Sequence, residues 1–561
     1  MNKQIITIIF FAIATNSQAQ ITQYKYNNTK NIQVKNAAVV SAHALASNAG
    51  IQVMRNGGNA FDAAIATQLA LAVVYPGAGN LGGGGFMVAH TSTGKNIALD
   101  FREMAPAKAH KDMYLDSAGN AITKLSMEGH LASGVPGTVA GIFAIYKYAK
   151  LPFAKLIQPA IMLASKGFVI TKAQADGLNN SRDVFLRNNK NPTAFVKKTL
   201  WQAGDTLVQT DLANTLIRIK IKGAAGFYQG KTALLIANEM QANNGIITLQ
   251  DLKNYTVKER VAMQFSYKKY EILTMPLPSS GGIILEQLLQ MTGQKNLASF
   301  PFQSAESVQL ITEAERRAFA DRAEFLGDQD FVNVPIKKLV SNKYLQLRMQ
   351  DFVPSKAGSS KLTGAGNPHE SEQTTHISIT DIAGNAIAIT TTLNDNFGSK
   401  TIITGAGFIM NNEMDDFSVK PGVPNMYGAI GNDKNAIAPG KRMLSSMTPT
   451  IVLKNNKPFI VVGSPGGTTI PTSVFQSIVN IIDYNLSAED AVNKPKFHHQ
   501  WLPDVIFVER DFDKNTIVSL KNMGYEITER TNIGRTELIK IDNKKITAIA
   551  DKRGDDDARG F

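Results

Sequence analysis

The chain has 561 residues, of which 43% are hydrophobic and 19% charged, and its net charge is +13. This composition excludes a disordered chain, and the length suggests about three or four ordinary domains or one large α/β unit. There is no cysteine, which excludes a thiol nucleophile, disulfides, cysteine-ligated zinc and a lipidated N-terminal cysteine.

The charge is unevenly placed. From Thr374 onward there are 20 Lys+Arg against 21 Asp+Glu, and the preceding residues carry 39 against 25. Nucleic-acid binding calls for clustered basic residues with interleaved aromatics. Here they are scattered, as in Lys108, Lys111 and Lys124, so a generally basic surface is expected and no nucleic-acid partner.

The chain opens with Lys3, a short apolar run from Ile5 to Ala14, and small residues at Ser17 and Ala19. This is the layout of a secretory signal peptide over residues 1–19, and the run is too short to span a bilayer. Export to the periplasm or beyond follows as an expectation. No later stretch of 18 or more apolar residues is found, so no membrane span is expected in the mature chain.

Asn59 to Val74 reads as a helix capped by Asn59. Gly77 to Gly82 then matches GxGxxG, but a dinucleotide site needs a strand before it and a helix after it. Here a helix precedes and the strand-like Phe86 to His90 follows, so the match carries no cofactor. Ala305 to Phe325 reads as an amphipathic helix with its Glu and Arg residues outside. Pro354 to Gln373 contains Leu362 as its only large apolar side chain and is expected to be a mobile loop.

Immediately afterwards the character changes. Thr374 to Thr380 alternates and Ala386 to Thr392 is β-rich, with Asp381 to Asn385 as the turn. A turn centred near Ala383 sets Thr374 opposite Thr392, and Asn394 shares that face if the strand continues. Ile451 to Val462 reads as a second hairpin turned at Lys454 to Lys457. The class is mixed α and β with a substantial antiparallel sheet.

Familiar hydrolase signatures are missing. There is no P-loop, no GxSxG elbow and no HExxH among the eight histidines. His498 and His499 are adjacent, so a strand would turn them to opposite sides, and a structural role is expected. His376 shares a face with Thr374 and is expected mainly to pack. A polar loop ending at a Thr that opens a strand is compatible with an ordinary Thr-rich edge strand or with an N-terminal nucleophile. In the second case cleavage of Gln373–Thr374 would set an α-amine, with a pKa of about 7.7–8.0, beside the hydroxyl it activates.

The run Gln373-Thr374-Thr375-His376 with Thr392-Leu393-Asn394 resembles the processing site and catalytic hairpin of γ-glutamyltranspeptidases. The resemblance runs from about Ala38 to the C-terminal region. It includes Asn80 to Phe86, Asp100 to Pro106, Ser133 to Gly137, Pro278 to Gly282, Asn411 to Phe417, Leu444 to Pro449 and Gly463 to Gly467.

The resemblance implies an N-terminal nucleophile hydrolase, an α+β four-layer αββα sandwich built from both processed subunits. The large subunit would span 20–373, with 354–373 as the segment before cleavage, and the small catalytic subunit 374–561. By the same resemblance Thr374 is the nucleophile in self-cleavage and catalysis, Thr392 its hydrogen-bond partner, and Gly466 and Gly467 the oxyanion donors. Arg102, Ser445 and Ser446 would hold the α-carboxylate of a γ-glutamyl group; Glu413, Asp416 and Asn394 would hold its ammonium. Tyr427, in a loop from Pro421 to Lys441, would wall the site as a lid. Glu413 stands where many bacterial members have Gln, and Thr468-Thr469 where Ser-Arg or similar is common.

The implied reaction passes the γ-glutamyl group of glutathione or related compounds to water or to an amino acid or dipeptide acceptor, with no metal or organic cofactor. Two other readings compete. An acylase of glutaryl-type side chains has no use for an ammonium pocket, and a non-catalytic binding protein would keep the chain intact.

Overall fold

The structure is a computed structural model describing residues 26, 28–360, 374–426, 428–543 and 545–561. The expected signal peptide (1–19), Gln373 and Tyr427 lie outside the described residues.

Two seven-stranded sheets, antiparallel throughout, organise an α+β fold. The first runs, in spatial order, Asp557–Gly560, Ala38–Ser41, Thr374–Thr380, Ala386–Thr392, Gly84–His90, Asn96–Phe101 and Lys258–Arg260. The second runs Asn31–Val34, Lys545–Ile549, Glu537–Asp542, Lys457–Gly463, Thr450–Lys454, Tyr270–Thr274 and Met263–Tyr267. Successive side chains of a strand point to opposite faces, and the apolar clusters follow that period. In the strand Ala386–Thr392, Ala386 and Ala388 pack with Leu273, Ile451, Val461 and Ile539 of the second sheet. Ile387 and Ile389 pack instead with the helix residues Phe61, Ile65 and Leu69. On the second sheet, Ile272, Val452, Ile460 and Val462 meet Ile284, Leu288, Val308, Ile311 and Phe475 of three further helices.

The central hairpin has the anticipated register, from Thr374↔Thr392 to Thr380↔Ala386. The second hairpin pairs Thr450–Lys454 with Lys457–Gly463. The helix Ala60–Val74 starts at Asn59, whose side chain accepts from Phe61 N and Asp62 N in a capping box. It is buried on every side, which accounts for its continuous apolar composition. The glycine run after it serves close packing: a Cβ on Gly83 would lie 2.1 Å from the carbonyl oxygen of Thr392.

One expectation fails, and the described start of a second segment, residues 354–360, is held by specific contacts. The helix Ala305–Phe325 does form, but Glu313, Glu315, Arg316, Arg317 and Arg322 are buried, not outside. Its polar side is covered by other parts of the chain, and Glu313, Arg316 and Arg317 find ion-pair partners there. Glu313 pairs with Arg316 and Arg317 and accepts from Tyr525 Oη at 2.7 Å. The same covering pins the start of the segment expected to be mobile. Gly358 N donates to Glu313 Oε1 at 3.0 Å, Ser360 N to Asp504 Oδ2 at 2.6 Å, and Ala357 N to Met523 O at 2.8 Å. Composition revealed the absence of an apolar face there but not the partners waiting for its backbone.

Candidate active site

The hairpin register decides where Thr374 points. Ser378 lies on the same strand face and its hydroxyl donates to Glu537 O, in the second sheet, at 3.0 Å. Thr374 therefore faces the space between the sheets, at the end of its strand. Its cross-strand partner Thr392 is on the same side, at the roughly 4.5–5.5 Å Cβ spacing of such pairs. His376, two residues along, is fully buried. Its Nδ1 is 2.8 Å from Thr390 Oγ1, its Nε2 is 3.1 Å from Ser378 Oγ, and burial pushes its pKa down to about 3. A neutral imidazole with both nitrogens engaged packs the strand and is not poised as a base for Thr374.

Thr374 and Thr392 border one cavity together with Arg102, Asn394, Glu413, Asp416, Ser445, Ser446 and Gly467. The expected site residues thus converge from segments up to 365 positions apart in the chain. Gly466 lies just outside that lining.

Asn394 reaches the cavity by another route than expected. The strand ends at Thr392, and Asn394 adopts a left-handed conformation (φ 75°) with its N–H donating to Thr392 Oγ1 at 2.7 Å. Its Nδ2 donates to Asn412 O at 3.1 Å. This turn fixes both the Thr392 hydroxyl and the Asn394 amide.

The acidic turn Glu413–Asp416 is a buried 3-10 turn instead of a solvated loop. Arg102, itself fully buried, donates Nη1 to Glu413 and Nη2 to Asp416, and lies 3.7 Å from Glu103. Asn425 Nδ2 bonds the other oxygen of Asp416 at 3.1 Å. Three carboxylates around one guanidinium leave excess negative charge, and burial raises the pKa of all three carboxyls. Both oxygens of Glu103 and Oε2 of Glu413 otherwise lack a partner. One proton shared between these two carboxyls pairs one oxygen of each.

Glu103 escaped the sequence reading, although its adjacency to Arg102 was a usable signal. Burial pushes it up to about 7, against the pull of Arg102. A folded-state pKa above the unfolded 4.5 means that the protonated group favours the fold. That stabilisation is complete below 4.5 and lost as pH rises through 7. The urea midpoint is therefore expected to fall from about pH 5 to pH 8, and Glu103→Gln to flatten part of the decline. An identical slope in the variant would contradict this.

The serines are set by the block Pro278 to Gly282. Ser445 N donates to Pro278 O at 2.8 Å, and Ser445 O accepts from both N and Oγ of Ser280 at 2.7 Å.

Gly466 (φ 133°) and Gly467 (φ 56°) turn the chain from the strand Lys457–Gly463 into the helix Thr469–Ile482. Backbone amides at such a helix start favour negative charge. A Cβ on Gly466 would lie 2.3 Å from Thr469 Oγ1, which itself donates to Gly466 O at 2.7 Å. Gly466→Ala is therefore expected to displace the turn and, on the oxyanion role that the resemblance implies for Gly466, to lower kcat by about 10²–10³, the effect of losing one such donor, with little change in KM. Steady-state kinetics of the variant test this.

The fold and cavity define an α+β protein with a polar, charge-lined site built around a threonine. The family model described as Gamma-glutamyltranspeptidase matches residues 46–561. The chain is 45% identical over 532 residues to the glutathione hydrolase proenzyme of Escherichia coli strain K12, covering 94% of this chain and 92% of that protein. The crystal structure of Helicobacter pylori γ-glutamyltranspeptidase matches with 46% identity and a TM-score of 0.56, over 58% of this chain and 94% of its own. A cephalosporin acylase structure from Bacillus halodurans shares the fold, with a TM-score of 0.84 at 24% identity over 96% of this chain and 98% of its own. The chain belongs to the γ-glutamyltranspeptidase family.

Proposed function

We propose that this chain is an autoprocessing γ-glutamyl transferase and hydrolase acting on glutathione and related γ-glutamyl compounds. It is exported after removal of residues 1–19 and cleaves itself at Gln373–Thr374. The resulting subunits, 20–373 and 374–561, remain together as a heterodimer in a four-layer αββα sandwich of the N-terminal nucleophile type.

In this mechanism the free α-amine of Thr374 takes the hydroxyl proton as Oγ bonds to the γ-carbonyl carbon, and Gly466 and Gly467 N–H groups receive the oxyanion. The C–N bond then breaks, and the departing amine takes that proton. Water or an acceptor amine attacks the γ-glutamyl ester, loses a proton to the α-amine and releases the Thr374 oxygen, which recovers the proton as hydroxyl. Thr392 holds the nucleophile's hydroxyl.

The substrate's α-carboxylate is held by Arg102, Ser445 and Ser446, and its ammonium by Glu413, Asp416 and Asn394. Arg102 pairs with Glu413 and Asp416. A zwitterion can insert into this cluster by exchange: its ammonium takes over the carboxylates while its carboxylate takes over the guanidinium, so charge stays balanced.

The observation carrying this reading is the pairing of Thr374 with Thr392 at the head of a central strand, in the cavity lined by Arg102, Asp416 and Gly467. Intact-mass measurement and N-terminal sequencing of the purified protein test it. Fragments starting near Gln20 and at Thr374, with release of nitroaniline from γ-glutamyl-p-nitroanilide, are the expected result. An intact chain that turns over the anilide overturns the mechanism.

A further inference from the structure

Arg322 lies on the helix Ala305–Phe325 and is 8% exposed. Its Nε donates to Ser280 Oγ at 3.2 Å, and among the described residues its guanidinium forms no ion pair. Its buried neighbours differ: Arg102 pairs with Glu413 and Asp416, Arg316 with Glu313 and Asp504, and Arg317 with Glu313 and Asp351. Burial pushes the Arg322 pKa down to about 10, and the nearby charge of Asp416 offsets only part of that. A cation buried without its own counter-ion is costly, and a docking anion relieves the cost.

The position of Arg322 suggests which anion. It borders the cavity that holds Thr374 and also an adjoining cavity walled by Phe319, Ile430, Trp501 and Leu502. Thr468, which directly follows Gly467, borders both as well. The second cavity therefore adjoins the turn after Gly467, and Arg102, Glu413 and Asp416 are not among the residues lining it. The group leaving a γ-glutamyl amide, or attacking its ester, is an amino acid or short peptide with a free carboxylate. Two extended residues span at most roughly 7 Å, a length suited to reaching from the reacting carbonyl into an adjoining cavity.

We infer that Arg322 receives the free carboxylate of the amino acid or dipeptide that leaves or accepts the γ-glutamyl group, with Phe319 and Trp501 walling its side chains. This subsite rests on the γ-glutamyl transfer reading and adds an acceptor specificity to it. It also gives a reason for a buried charge on a helix face that sequence pattern assigns to solvent.

The test uses the processed enzyme with γ-glutamyl-p-nitroanilide as donor, whose leaving aniline has no carboxylate. Glycylglycine is compared with glycylglycinamide as acceptor. Wild type is expected to favour glycylglycine by roughly tenfold or more in kcat/KM, the effect of one charge-assisted contact. Arg322→Gln is expected to bring that ratio near one, mainly through KM, and Arg322→Lys to keep part of the preference. A wild-type ratio near one, or an unchanged ratio in Arg322→Gln, overturns the inference. Equal slowing with both acceptors also overturns it, because Arg322 would then serve the γ-glutamyl end. If Arg322→Gln fails to mature, the wild-type ratio and its partial retention in Arg322→Lys decide. Failure of the underlying function reads differently: wild type would release no nitroaniline with either acceptor or with water.

Discussion

Thr374→Ala is expected to remain one uncut chain of about the full 60.8 kDa, less any leader, and to lose activity by on the order of 10⁴–10⁶. In the proposed mechanism both effects have one cause, since the same hydroxyl attacks its own upstream peptide bond and then the substrate. The fold should tolerate the change. Thr374 opens its strand, whereas the apolar anchors Ile377 and Ile379 lie further along it. Unfolding free energy should therefore move by no more than about 1 kcal/mol. Thr374→Ser keeps an attacking hydroxyl and is expected to split and retain measurable turnover. Gel mobility, intact mass and anilide turnover are the readouts. If the alanine variant still appears as two pieces, the nucleophile lies elsewhere.

Arg102→Met should be the most damaging change to the substrate pocket, in stability as well as catalysis. It removes the only guanidinium that Glu103, Glu413 and Asp416 contact directly among the described residues. Breaking a buried ion pair from one side typically costs about 3–5 kcal/mol. The direction of the pH effect follows from the signs. Without Arg102 the carboxyl pKa values rise further above their unfolded values, so the penalty is smaller near pH 5, where the carboxyls are neutral, and larger near pH 8. Denaturant unfolding at both pH values measures it. The kcat/KM for γ-glutamyl-p-nitroanilide should fall by about 10²–10⁴, from losing charge-assisted contacts of about 1.5–3 kcal/mol each. Arg102→Lys keeps the charge but not the planar fork and should fall between the two. Wild-type KM combined with equal destabilisation at pH 5 and pH 8 would refute this account of the cluster.

The two variants separate functions that share one cavity. Thr374→Ala removes chemistry and leaves the ion cluster intact. Arg102→Met leaves the hairpin intact and should still permit self-cleavage if the variant folds, because that reaction uses the chain's own peptide bond and no glutamyl zwitterion.

What the sequence determined by itself is the local geometry around the nucleophile. A strand's period of two, together with a turn of known length, decides which residues oppose each other, so Thr374↔Thr392 could be counted from the chain. The helix after Asn59 and the hairpin at Lys454 to Lys457 follow from equally local rules. The mismatch of the glycine run with a dinucleotide site was legible too, from the order of its neighbours.

Only the tertiary structure decided where charges lie. The helix pattern of Ala305 to Phe325 predicts a solvent face, but chain from residues 353–360 and 499–504 covers it and converts surface charges into a buried network. Arg102 meets Glu413 and Asp416 across more than 300 residues, and Asn394 leaves the strand through a left-handed turn. The physical reason is common to all three. Hydrophobic period and turn chemistry act over a few residues and can be read in a window, whereas burial of a charge depends on which distant segment folds over it.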